Sequence, residues 1–170
     1  AGSFVPGQQN VLRNLSGSAV VADLEAPKRM TVDLVAMLFD CILDDTKLPE
    51  AMKSLIGRLQ IPMVKVALLD PEFFSRRSHP ARRFLNGIAE AAGRHADNTD
   101  ALELLRGEVD RVVQRVIDDF EDDITLFTTL AAEFDRFVGE TLPEALARSE
   151  RTAQVAQGRE RVEQAKLYAR

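Results

Sequence analysis

The chain is predicted to be all-α. Apolar residues recur at three- and four-residue spacing through most of its length, and proline and glycine mark the breaks between those runs. No run alternates with the period of two that a half-buried strand requires. Short helices joined by proline turns predict a compact, solenoid-like stack in the first half, then a long antiparallel helical hairpin and a polar C-terminal helix. No self-similarity at a fixed period accompanies the stack, so a true repeat is not demanded.

In chain order, Val11, Leu12 and Leu15 have helical spacing before Ser16-Gly17-Ser18 interrupts it, which predicts one short helix and a loop. Residues 31–44, TVDLVAMLFDCILD, are apolar almost all the way round, with Asp33, Asp40 and Asp44 forming a narrow polar stripe. Such a helix is expected at the centre, with Cys41 as a small buried hydrophobe. Residues 49–59 place Met52, Leu55, Ile56 and Leu59 on one face, and residues 62–69 turn Val64, Ala67 and Leu68 inward. Pro49 and Pro62 suit the first turn of each, which makes Leu48 and Ile61 the expected turning points.

Asp70-Pro71 stops the pattern, and Phe73-Phe74 reads as an apolar plug. A helix then starts near Ser78 to Pro80, carries Phe84, Leu85, Ile88, Ala89 and Ala92 inward, and fades by His95. The clearest helix is capped by Asn98 or Thr99 and lined by Leu102, Leu105, Val109, Val112, Val113, Val116, Ile117 and Phe120. After the DDFEDD segment, residues 118–123, comes a helix with Ile124, Phe127, Leu130, Phe134, Phe137 and Val138 inward, ended by Gly139. Pro143 opens a last helix whose Leu146, Val155, Val162 and Leu167 are too sparse for a wide buried stripe.

At 170 residues the default is one all-helical domain over residues 1–170. Ala1-Gly2-Ser3 reads as a remnant of recombinant expression, and the polar helix of residues 143–170 reads as a link to further sequence of a longer protein. A net charge of −5 repels phosphodiester backbones, so general nucleic-acid binding is not expected. No apolar run is long enough for a membrane span and no secretory segment is visible, so the expected location is cytoplasmic. A lone cysteine forms no intrachain disulfide.

Chemistry has few places to reside. The only histidines, His79 and His95, fit no zinc-ligand spacing with Cys41, and no nucleophile elbow, phosphate-binding loop or dinucleotide fingerprint is present. No catalytic residue, metal or cofactor is therefore expected. DDFEDD lacks the glycine and terminal glutamate of a calcium loop, so Asp122 and Asp123 are read as helix-capping carboxylates. The phenylalanine stripe at residues 127, 134 and 137 is read as core.

One stretch is physically unusual. FFSRRSHPARRFLN, residues 73–86, sets Arg76, Arg77, Arg82 and Arg83 around His79 and Pro80 at the start of a helix. A helix N-terminus already carries the positive end of the macrodipole, so guanidinium groups there need a negative partner. The partner is either an acid of this chain, with Asp44, Asp45, Asp70 and Glu72 the candidates, or an external anion or acidic partner held by Arg76, Arg77, His79, Arg82 and Arg83.

VDLVAMLFDCILDD, LIGRLQIPMVKVALLD and FFSRRSHPARRFLN, read in order, resemble the bacterial domain-of-unknown-function family numbered 1631, most closely from Val32 to Ala92. The resemblance implies a cytoplasmic bacterial protein much longer than this chain and supplies no activity, substrate or catalytic residue. It marks Gln60, Pro62, Asp70, Phe73, Phe74, His79, Pro80 and Arg82 as positions matching the family's phrases. Two functions are expected to compete. The first is a non-catalytic interaction or scaffold module of a larger regulatory protein, holding a protein partner or the rest of the parent chain through its helix faces and the arginine corner. The second is a sensing module for an anionic small molecule, a cyclic dinucleotide or another phosphate compound, although the arginines of residues 76–83 do not have the RxxxR spacing of one cyclic-dinucleotide module.

Overall fold

The computed structural model describes residue 12 and residues 25–168, with side chains described as far as residue 162. The predicted helix around Val11 and Leu15 lies outside the described residues, apart from Leu12, which is helical and fully buried. Every regular element among the described residues is a helix: α1 (Ala26–Leu43), α2 (Glu50–Gly57), α3 (Gln60–Leu69), α4 (Glu72–Ser75), α5 (Pro80–Arg94), α6 (Thr99–Asp119), α7 (Thr125–Arg136), a π-helical turn (Phe137–Thr141) and α8 (Leu142–Tyr168).

Helix α1 starts at Ala26, ahead of the expected Thr31. Proline occupies its opening positions, where the missing amide costs nothing, and the Thr31 hydroxyl donates back to the Pro27 carbonyl at 3.1 Å. Its buried side is narrow: Val32, Val35, Ala36, Phe39 and Leu43. The expectation of a central helix is corrected by the opposite side, where Met30 is 64% and Met37 54% exposed, and Leu34 and Cys41 are exposed as well. Among the described residues, α2 and α3 make the substantial contacts with α1, all through the helices that follow it in the chain.

The turn between α2 and α3 falls at Arg58 and Leu59, and Ile61 is helical rather than a turning point. Pro62 is the third residue of α3, where the backbone N–H would lack an intrahelical partner anyway, so the helix begins upstream of it. Leu48, the other expected turning point, is buried.

Helix α5 packs most extensively on α7, and α6 packs on both α2 and α7. The Phe84 and Phe127 rings meet edge-on at 5.7 Å, and Phe127 meets Phe120 at 5.0 Å, so the aromatic stripe is core. Asn98 caps α6 by accepting the Ala101 amide at 3.1 Å. Asp123 accepts both the amide and the hydroxyl of Thr125 ahead of α7. Ile117, expected inward, is exposed. Across the α6–α7 hairpin Arg111 bridges Glu108 and Glu133, and both carboxylates raise its pKa.

Gly139 does not end α7. The π-helical turn carries the backbone through it, Pro143 is the second residue of α8, and residues 125–168 form one continuous helical run. A glycine often stops a helix by taking up the left-handed cap, and here Gly139 stays out of that conformation within the π-helical turn. Leu142 is buried, but every residue from 147 to 162 is exposed. The sparse apolar pattern of α8 thus reads out as a projecting helix.

Candidate functional site

The arginine-rich stretch folds into a corner between α3 and α5. Asp70 leaves α3 in an extended conformation, and its Oδ1 accepts the Glu72 amide at 3.0 Å, starting the single turn of α4. Its other oxygen, Oδ2, lies 3.0 Å from Nε2 of His79, the residue preceding α5. Nδ1 of the same ring accepts the Ala81 amide at 3.2 Å. An acceptor nitrogen carries no proton, so this geometry assigns the ring proton to Nε2, which donates it to Asp70.

His79 is 3% exposed, while the Asp70 side chain is 29% exposed. The imidazole is therefore a buried cap on α5, fixed by a carboxylate at the protein surface. Phe73 packs edge-on against that ring at 5.5 Å and against Phe74 at 5.0 Å. The Glu72 amide, followed by the His79 ring, holds the Asp70 carboxyl below its ordinary pKa, with desolvation opposing.

The arginines divide into two groups. Arg76 pairs with Glu72 at 3.0 Å, and Arg82 donates from Nη1 to the Phe74 carbonyl at 3.2 Å. Both acids found here, Asp70 and Glu72, were among the four that the sequence nominated; Asp44 and Asp45 make no described contact with the corner. Arg77 and Arg83 are exposed and form no ion pair among the described residues. Arg83 lines a cavity of about 160 Å³ with Ser78, Pro80, Thr128, Ala131 and Asp135, so a carboxylate shares that space.

The helix start is also largely closed to an anion. Pro80 has no amide hydrogen, the Ala81 amide is taken by the imidazole, and the Arg83 amide bonds the His79 carbonyl at 2.9 Å. The structure thus brings Asp70, Phe73, Phe74, His79, Pro80 and Arg82 into one knot, and leaves Arg77 and Arg83 exposed, with no ion pair among the described residues.

A second feature escaped the reading of motifs. Met30, Leu34, Met37 and Cys41 follow one another at spacings of four, three and four, and all are exposed, forming a stripe along the outer side of α1. Neighbouring α3 adds exposed Ile61, Leu68 and Leu69. The signal was present in residues 31–44: a helix apolar on all sides needs cover on all sides, and the first half of the chain supplies too few helices to provide it.

Among the described residues no group of three His, Cys, Asp or Glu side chains is placed to hold a metal ion, and no helix is long and apolar enough to cross a membrane. Residues 2–123 match the family model described as protein of unknown function (DUF1631), 2nd domain. No curated protein and no solved structure matches the chain.

Proposed function

We propose that this chain, which belongs to the DUF1631 family through a match spanning α1 to α6, is a non-catalytic helical interaction module of a larger bacterial, cytoplasmic regulatory protein. The observation that carries the reading is the apolar stripe of Met30, Leu34, Met37 and Cys41, continued by Ile61 and Leu68 on α3. Scattered exposed apolar residues are normal, but a stripe at helical spacing along one element is the form a helix-binding surface takes.

The corner then has a supporting role. By tying the end of α3 to the start of α5 through Asp70 and His79, it holds the α1–α3 layer at a fixed angle to the rest of the molecule. Arg76, His79 and Arg82 each have a partner within the corner, which argues for architecture at those positions.

A photo-crosslinking amino acid at Met37, with one at exposed Glu103 on α6 as control, tests the reading in the parent protein in cells. The expected result is an adduct from position 37 alone that disappears when Leu34→Lys is added, with circular dichroism unchanged. Equal or absent adducts from the two positions would overturn it.

A second reading keeps the anionic small molecule, and what favours it is the pair of exposed cations left over, Arg77 and Arg83. Asp135 beside Arg83 and the occupied amides weaken it. Calorimetric titration with inorganic phosphate and a nucleotide panel decides: saturable binding lost in Arg77→Ala and Arg83→Ala supports sensing, and flat titrations remove it.

A further inference from the structure

We infer that the groove between α5 and α7 binds a small zwitterion, a free amino acid whose carboxylate meets Arg83 and whose ammonium meets Asp135. The inference goes beyond the interaction reading above and stands or falls separately from it.

Helices α5 and α7 pack against each other more extensively than any other pair of described elements, yet their seam leaves an open cavity of about 160 Å³. Ser78 and Arg83 border it on one side, and Thr128, Ala131 and Asp135 on the other. A cavity of about 150 Å³ holds a benzene molecule, so this one has room for a small amino acid. A further space of about 270 Å³ continues along the two helices, with Asp135 in the wall of both.

Charge selects the occupant. Arg83 and Asp135 border the same cavity from facing helices, both exposed, and neither forms an ion pair or a side-chain hydrogen bond among the described residues. Arginines elsewhere on these helices and on α6 behave otherwise: Arg94 holds Glu90 at 2.7 Å, and Arg111 bridges Glu108 and Glu133. Here an acid and a base share a space without meeting. A lone anion at Arg83 would meet the Asp135 carboxylate, and a lone cation at Asp135 would meet the guanidinium, so like charge disfavours each. A molecule carrying both signs is attracted at both ends. The hydroxyls of Ser78 and Thr128, which form no side-chain hydrogen bond among the described residues, add neutral donors and acceptors to the wall.

Gly87 supplies an independent observation. It lies one turn beyond Arg83 inside α5, where glycine weakens a helix relative to alanine. Its backbone is ordinary helix, so left-handed freedom is not the reason for it. Close packing is not the reason either, because an added methyl would stand 3.9 Å from Asp135 Oδ1 and 4.0 Å from the Phe134 ring, both ordinary contacts. What the missing side chain leaves is open floor beneath the Asp135 carboxylate.

The test is a titration of the ¹⁵N-labelled chain followed by amide chemical shifts, with glycine, L-alanine and L-serine as probes and acetate, ethylammonium and inorganic phosphate as singly signed controls. Saturable shifts near Gly87 and Asp135 are expected with the amino acids and not with the controls. Arg83→Gln and Asp135→Asn should each weaken that binding about ten-fold or more, and because both side chains are exposed, circular dichroism should not change. Gly87→Ala should also weaken it while leaving the fold at least as stable as the native chain, since the methyl strengthens α5 and occupies the floor. An absence of saturable shifts, or binding that survives any of the three substitutions, overturns the proposal. So does saturation by phosphate that is lost in Arg83→Gln and kept in Asp135→Asn, which would return the site to the simple anion.

Discussion

The corner at residues 70–83 and the outer face of α1 are opposites. The corner is crowded with charge and much of it finds a partner within nine residues: Arg76 on Glu72, His79 on Asp70, Arg82 on the Phe74 carbonyl. The α1 face is almost uncharged along its line, and its methionines and leucine stay exposed, Met30 at 64%, Met37 at 54% and Leu34 at 40%. Charge is conspicuous in a sequence, but a short loop can satisfy it locally. Apolar surface is inconspicuous, but only a neighbouring element of the right shape can satisfy it. What points outward from this molecule is therefore the greasy helix more than the basic one.

The comparison breaks first, and with the largest effect, at Phe73. It is fully buried and touches both Phe74 and His79, so Phe73→Ala should cost about 3–5 kcal/mol in urea unfolding. A loss under about 1 kcal/mol would mean that the corner is not a packed junction.

His79→Ala removes an N-terminal cap and leaves the Ala81 amide without its acceptor. We expect a loss of about 1–3 kcal/mol by the same measurement.

Acid should act on the corner with a defined sign. The folded-state pKa of Asp70 lies below its ordinary value of 3.8, so its contribution is fully present above that value and is lost as the pH falls through the lower folded value. Asp70→Asn should lower stability at neutral pH and flatten the acid limb of a stability-versus-pH curve. An acid limb parallel to that of the native chain would remove Asp70 from the account.

At the other region the expectation reverses. Met37→Lys changes folding stability by no more than about 0.5 kcal/mol, because the side chain is already in water. It should nevertheless abolish partner capture in the parent protein, read as loss of the adduct from a photo-crosslinking residue at Leu34. The smallest effect belongs to Arg77→Ala, expected within about 0.5 kcal/mol of the native chain and without effect on that adduct. A marked loss there would restore the corner as a working surface.

Much of this was legible beforehand because it depends on neighbours along the chain. The helix beginning at Pro80, the Asn98 cap on α6 and the inward series from Leu105 to Val116 follow from spacing and capping chemistry that operate over three or four residues. The nomination of Asp70 and Glu72 as internal partners worked for the same reason, since both lie within ten residues of the charges they meet.

The misreadings share a cause of the other kind. Apolar surroundings in sequence predict Cys41 and Ile117 as buried, yet which side of a helix is covered depends on where other helices lie. Glycine at the end of an apolar series predicts a stop at Gly139, but whether it ends the helix or is carried through a π-helical turn is not written in the local sequence.

By itself, then, the order of residues determined the all-helical class, most helix starts and the chemistry available at the corner, because hydrogen bonds, caps and periodicity act over one or two turns. The tertiary structure alone decided which apolar residues would be spent on the core and which left facing water. Burial is a property of pairs of surfaces, and helical periodicity specifies a face without specifying what will stand opposite it.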